Sequence, residues 1–241
     1  MRMYSNSIQV TVSIAGDTQV LPLEHLQPAD VQAGSPVRVL RWHRGQRHYS
    51  GWYASATENR HVLYESRMEL VRLMKADMDP EVAWIRAQPL QIQGTLPSDE
   101  RSRRHVPDFA LGHDDGSVRM VNVKTAQAYA RPEVREALDW AGQVFAAIGW
   151  RHEVWTGESA QYVANLKWLA AFRSPALFRV SGAGAAAILS SVPGPLAQVE
   201  QSLTDAGISF SRGLVMHGLW CGFIAVDMEA PLGPDSWVFR P

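Results

Sequence analysis

The sequence predicts a mixed α/β fold with a small N-terminal β segment and a C-terminal module of helices ending in a β-wing. Three observations predict it. Short apolar runs alternate with polar residues near the N-terminus. From residue 65 to 155 the order is helix, strand, hairpin, helix, strand. After residue 159 helices crowd together, and two short strands then bracket the turn EAPLGPD. The boundaries drawn on this basis are 1–35 for the β segment, 36–158 for the central domain and 159–241 for the C-terminal module.

Taken in order, IQVTVSI and QVLPL are period-2 strands with AGD as the turn between them. QPAD and AGSP punctuate the chain. Residues 36–60 hold five arginines, at 38, 41, 44, 47 and 60, against one acid, Glu58, for a net +4. Trp42, Tyr49, Trp52 and Tyr53 are interleaved with them. Two readings stay open: a surface whose aromatics turn to the core, or a phosphate-binding arm using Arg41, Arg44 and Arg47. ESRMELVRLMKADMD is a helix with Leu70, Val71 and Met74 on one face, stopped by Pro80. VAWIRAQPLQI reads as one strand and TLPSDERSR as a polar loop. HVPDFAL and SVRMVNVKT form a hairpin around HDDG. RPEVREALDWAGQVFAAIGW is an amphipathic helix with Pro132 in its first turn, and RHEVWTG is a strand. SAQYVANLKWLAAF, AGAAAILSSV, PLAQVEQSLTDA and SRGLVMHGLWCG are helices. FIAVDM and SWVFR form a two-stranded wing, so the module is winged-helix-like.

The bulk numbers limit the function classes. A chain of 241 residues that is 46% hydrophobic accommodates one or two domains with proper cores. Net charge is −1, so nucleic-acid binding must come from local patches. A single cysteine, Cys221, excludes an internal disulfide and a cysteine-rich metal site. No apolar run reaches the about 18 residues of a membrane span, and MRMYSNSIQV lacks an apolar signal core. These features give the expectation of a soluble cytoplasmic protein.

The chemistry concentrates in the hairpin RRHVPDFALGHDDGSVRMVNVKTA. A carboxylate and a lysine on neighbouring strands suit phosphodiester hydrolysis. Asp108 can hold Mg²⁺, a hard cation that takes oxygen ligands, and such an ion lowers the pKa of bound water and clamps phosphate oxygens. Lys124 can orient the water or neutralise developing charge. Asn122 shares a strand face with Lys124 because side chains alternate, and its amide oxygen and the main-chain carbonyl of Val123 are further oxygen donors. An odd number of loop residues sets Asp108 opposite Asn122, and an even number sets it opposite 121 or 123; composition leaves this open. Glu69 lies early in the preceding helix, where Ser66-Arg-Met-Glu69 also fits a capping box. Asp77 and Asp79 belong with the helix end before Pro80. Acid-plus-lysine hairpins are also common on ordinary surfaces, so spacing alone does not decide the matter.

The ordered set of a helix glutamate, DPEV, AQPL, PDF and V-x-VK resembles the PD-(D/E)xK nuclease superfamily. Together with RGQRHYSGWYASATENRHVLYESRMEL it looks like TnsA-like endonuclease subunits of heteromeric transposases, over about Val37 to Lys167. The resemblance implies a restriction-endonuclease-like mixed sheet flanked by helices. It implies a Mg²⁺-dependent DNA endonuclease, with Mn²⁺ as a substitute, that cuts transposon 5′ ends beside a DDE-type transposase and an AAA-type ATPase regulator. Carried over by motif, the catalytic set is Glu69, Asp108, Asn122 and Lys124, with Glu69, Asp108, Asn122 and Val123 on the metal. Asn122 stands where relatives carry Glu, Asp or Gln. Gln88 of AQPL matches a recurrent position and is expected to orient the site or make a strand-edge hydrogen bond. Arg101, Arg103, Arg104 and His105 flank Asp108 and are expected on phosphates. Two other readings stand beside this one: a non-catalytic DNA-binding or assembly module with a nuclease fold, and a stand-alone restriction- or repair-like nuclease. In the C-terminal module, residues 175–241 carry net −2, and FSRGLVMHGLW has Arg212 as its one fixed charge. That helix suits packing or a protein partner better than reading DNA.

Overall fold

β1 (Ile8–Ile14) and β2 (Asp17–Pro22) pair antiparallel from Gln9↔Pro22 to Ile14↔Asp17. Ala15 (φ 52°) and Gly16 (φ 91°) between them are both left-handed, as a two-residue hairpin turn requires. The alternation read from the sequence is borne out in β1, where Ile8, Val10 and Val12 are buried. The computed structural model describes residues 8–38, 49–96, 99–178 and 180–241. Arg41, Arg44 and Arg47, with Trp42, lie outside the described residues. α1 (Pro28–Ala33) and the short β3 (Gly34–Ser35) follow, and β3 pairs with β1. β4 (Gly51–Ser55) and β5 (Arg60–Tyr64) make a separate antiparallel hairpin in which Tyr53 is buried and Trp52 is exposed. α2 (Arg67–Met78) begins at its expected cap and ends just before Pro80.

VAWIRAQPLQI is two strands, not one. β6 (Val82–Ala87) and β7 (Gln91–Leu96) are separated at Gln88, whose φ of 45° breaks the extended chain, followed by Pro89. TLPSDERSR is not a loop either. Most of it is β8 (Asp99–His105), antiparallel to β7. β8 is the edge of the sheet ordered β2-β1-β7-β8. An edge strand carries charge as a matter of course, so DERSRRH lacks the apolar alternation that marks a strand. HVPDFAL is broken in the same way: β9 runs Phe109–His113, and Asp108 sits on the connection just ahead of it.

A second sheet is ordered β11-β10-β9-β6. β10 (Val118–Val123) is antiparallel to β9, with Val118↔Gly112 and Val121↔Phe109. Five residues, His113 to Ser117, lie between the last paired residues of the two strands, Gly112 and Val118, and extending the register by one step sets Asp108 opposite Asn122. After α3 (Ala126–Tyr129) and α4 (Pro132–Ala146), β11 (Arg151–Trp155) joins β10 in parallel, with Met120↔His152. One buried cluster joins Ile8, Val10, Ile92, Met120, Trp140 and Phe145, so the two sheets and α4 share a core. The chain separates into two compact units: residues 1–73 with 81–157, and residues 74–80 with 158–241.

The second unit contains α5 (Ala160–Leu169), α6 (Gly182–Ser191), β12 (Gly194–Pro195), α7 (Leu196–Asp205), α8 (Ser211–Trp220), β13 (Ala225–Val226) and β14 (Trp237–Phe239). The expected pair of strands gains a third, giving an antiparallel sheet ordered β12-β14-β13. Two residues, Gly194 and Pro195, are too few to show a period. Its core includes Ile188, Val199, Leu203, Val215 and Val238. The architecture as a whole is mixed α/β. Among the described residues no helix is long and apolar enough to cross a membrane.

Candidate active site

Backbone hydrogen bonds on both sides fix Asp108. Its N–H donates to Val121 O (2.9 Å), and its C=O accepts from Gln88 N–H (2.9 Å). Its side chain then works through one oxygen. Oδ2 accepts from the Val123 N–H at 2.6 Å and faces Lys124 Nζ and Asn122 Nδ2, each at 3.5 Å. Lys124 Nζ donates to the Val123 carbonyl at 2.9 Å. The ammonium therefore bridges the carboxylate and the main-chain carbonyl, two oxygens of the kind a hard cation prefers. Lys124 follows the last residue of β10, and its N–H is held by Trp155 O (3.0 Å) of β11.

Glu69 is the third residue of α2, and both its oxygens are engaged locally. The Glu65 N–H donates to Oε2 (2.7 Å), and Ser66 Oγ–H donates to Oε1 (3.0 Å). Ser66 Oγ in turn accepts from the Glu69 N–H (3.1 Å). The capping box is present, but the carboxylate reaches the N–H of Glu65 rather than that of Ser66. Burial pushes the Glu69 carboxyl up to about 7 against these bonds, and the Asp108 charge adds to the rise.

Asn122 is fully buried, on the same strand face as Val118 and Met120. Its Oδ1 accepts from His105 Nε2 (2.9 Å) and His152 Nε2 (3.0 Å). Its amide nitrogen, not its oxygen, is the end turned to Asp108. Burial lowers the pKa of both imidazoles; for His152 it falls to about 4, with the His105 ring contributing. Gln88 is buried on left-handed backbone, its C=O accepts from Val37 N–H (3.0 Å), and its Oε1 has no partner among the described residues. A strained residue with an orphaned oxygen beside an acid is a common mark of a working site.

The expected site residues thus divide. Asp108, Asn122, Val123 and Lys124 converge, Glu69 is coupled to Asp108, and Gln88 is tied to the Asp108 backbone. Of the flanking basic residues, Arg103 is paired with Glu136, His105 faces Asn122 rather than solvent, and Arg101 and Arg104 are exposed. His152 was not expected from the sequence. In RHEVW it is one polar residue on a half-polar strand, and only the parallel pairing of β11 with β10 brings it beside Asn122. A second buried group, Arg72 with Glu153, is bidentate at 2.9 Å. Burial alone would raise Glu153, but Arg72 and Arg119 outweigh it and hold the carboxyl below its usual range. That pair ties α2 to β11.

Among the described residues no group of three or more His, Cys, Asp or Glu side chains is placed to hold a metal. The donors here fit a hard cation in kind: the Asp108 carboxylate, the Val123 carbonyl and the Glu69 carboxyl are all oxygens. Comparison with models of known families and with curated proteins finds no match to this chain.

Proposed function

We propose that the chain is a Mg²⁺-dependent DNA endonuclease subunit of a heteromeric transposase, built on a restriction-endonuclease-like sheet. The observation that carries the reading is the meeting of Asp108, the Val123 carbonyl and Lys124 on the β9–β10 hairpin. Asp108, the Val123 carbonyl and Glu69 would hold the ion. A bound Mg²⁺ supplies a water of lowered pKa and neutralises phosphate charge. Asp108 is pre-oriented for this by the Val123 N–H. Lys124 Nζ lies close to both oxygens and would face the developing negative charge of the phosphate. The exposed Arg101 and Arg104 on the edge strand β8 are suited to backbone phosphates.

After α5, the second unit follows the order helix, strand, helix, helix, strand, strand, which supports a winged-helix reading. In an α8 whose sequence carries one fixed charge, Arg212 is spent on Glu200 at 2.9 Å, and Leu214 to Trp220 are buried. Such a helix offers little to a DNA groove. We therefore assign this unit to protein contacts, with the DDE-type transposase or the AAA-type ATPase regulator as its partner.

One observation favours a second reading, that of a non-catalytic DNA-binding module: the Asn122 oxygen is occupied by two histidines. A cleavage assay on duplex DNA, with partners present, separates the two. The expected result is Mg²⁺-dependent cleavage by the native chain and none by Asp108→Ala, which still binds DNA. Equal cleavage by Asp108→Ala would sink the nuclease reading.

A further inference from the structure

We infer that His105 and His152 are positioning residues that clamp the Asn122 amide, so that residue 122 serves Asp108 as a hydrogen-bond donor in place of an oxygen ligand. Its consequence for a metal rests on the nuclease reading above; the clamp itself does not.

An amide carbonyl has two lone pairs and its nitrogen two protons. Here both lone pairs are met by imidazole nitrogens, at 2.9 and 3.0 Å, and the nitrogen end is turned to Asp108 Oδ2. For Oδ1 to accept twice, each ring must carry its proton on Nε2. A flipped amide would instead point its nitrogen at the two rings and its oxygen at a carboxylate. It would then need both rings to carry the proton on Nδ1. The two orientations therefore leave opposite tautomers, which can be observed. Burial favours neutral rings, and Asn122 has no solvent exposure through which water could substitute for either partner.

The surroundings are shaped for the arrangement. His105 comes from β8 in the first sheet, while Asn122 and His152 come from β10 and β11 in the second. Gly142 of α4 leaves the space that the His152 ring fills: a Cβ there would lie 2.9 Å from Nδ1. Phe145, one turn further, packs against the same ring at 6.0 Å between centroids. A glutamine at 122 would carry its amide one methylene further and off this pair of nitrogens. The clamp thus gives a physical reason for asparagine at the position where the resembled nucleases carry Glu, Asp or Gln.

The test is the ring ¹⁵N spectrum of the full chain labelled at histidine, recorded with and without Mg²⁺, with signals assigned through His105→Gln and His152→Gln. Both rings are expected to show protonated Nε2 and bare Nδ1 in both states. A proton on Nδ1 of either ring without metal, or a switch to it when Mg²⁺ is added, overturns the clamp. If Mg²⁺ leaves the Asp108 and Lys124 backbone amide signals of a uniformly ¹⁵N-labelled sample unmoved, the metal reading fails, yet the metal-free tautomers still decide the clamp. Where Mn²⁺ binds, His152→Leu is expected to weaken it about 10- to 100-fold, the usual range for an outer-shell partner. His152→Gln, which keeps an N–H donor, restores most of that loss. Equal affinities for the two variants would also overturn the proposal.

Discussion

Glu69 does two jobs that pull in opposite directions. As the third residue of α2 it closes the helix cap through Glu65 and Ser66, and as a half-buried acid near Asp108 it resists ionisation. Its pKa of about 7 lies above that of an unfolded glutamate, so the folded chain binds the extra proton between the two values. Stability from this group is therefore fully present at low pH and is lost as pH rises towards about 7. Glu69→Gln keeps the capping acceptor and removes the charge. At mildly alkaline pH it should gain on the order of 1–2 kcal/mol in urea unfolding, after discounting for solvent on the exposed side. A loss at that pH would mean that the buried charge is not the burden described. The same proton governs metal binding in the opposite direction: affinity for Mn²⁺ should rise with pH through about 7, as the proton on Glu69 is released. A flat profile would exclude Glu69 from the metal.

Among the elements, β9 and β6 show how one missing side chain sets the packing. Gly112 pairs with Trp84, and a Cβ at Gly112 would lie 1.9 Å from the indole. Gly112→Ala must displace a buried ring and should cost about 1–3 kcal/mol by thermal melting, as overpacking does. In the second unit Asn165, on α5, donates to the carbonyls of Met228 (2.9 Å) and Ala230 (2.8 Å) at the start of the β13–β14 connection. Asn165→Leu removes both hydrogen bonds, each worth about 0.5–1.5 kcal/mol, for an expected loss of about 1–3 kcal/mol; an unchanged melting midpoint would contradict this. β1 and α4 were legible because burial imposes a period; the expected apolar face of α2 holds only in part, since Leu70 and Met74 are half-buried and Arg72 and Asp77 are buried with Val71 and Leu73. β8 was not legible, since an edge strand is free to be charged, and β7 was fused to β6 because the left-handed Gln88 carries no signature in its residue type. β12 was too short to read.

For the whole molecule, the bare site was more legible than its supports. Asp108, Val123 and Lys124 were legible as oxygen donors and a lysine on neighbouring strands, and the register of β9 with β10 brings them together. The role of Asn122 was not readable, because it depends on His105, from the other sheet, and on His152, from the neighbouring strand, 17 and 30 residues away along the chain. The division of charge between the two units leads to a further expectation. Arg104→Ala, on the exposed side of β8, should weaken DNA binding and lower its salt slope by about 1. Arg212→Ala, on α8, should leave both unchanged; the reverse pattern would move the DNA contact to the second unit. A metal centre on Asp108 at the β9–β10 hairpin would show first in Mn²⁺ binding followed by electron paramagnetic resonance. Mn²⁺ should be bound by the native chain and lost in Asp108→Ala. Equal binding by both chains, or none by the native one, would contradict it.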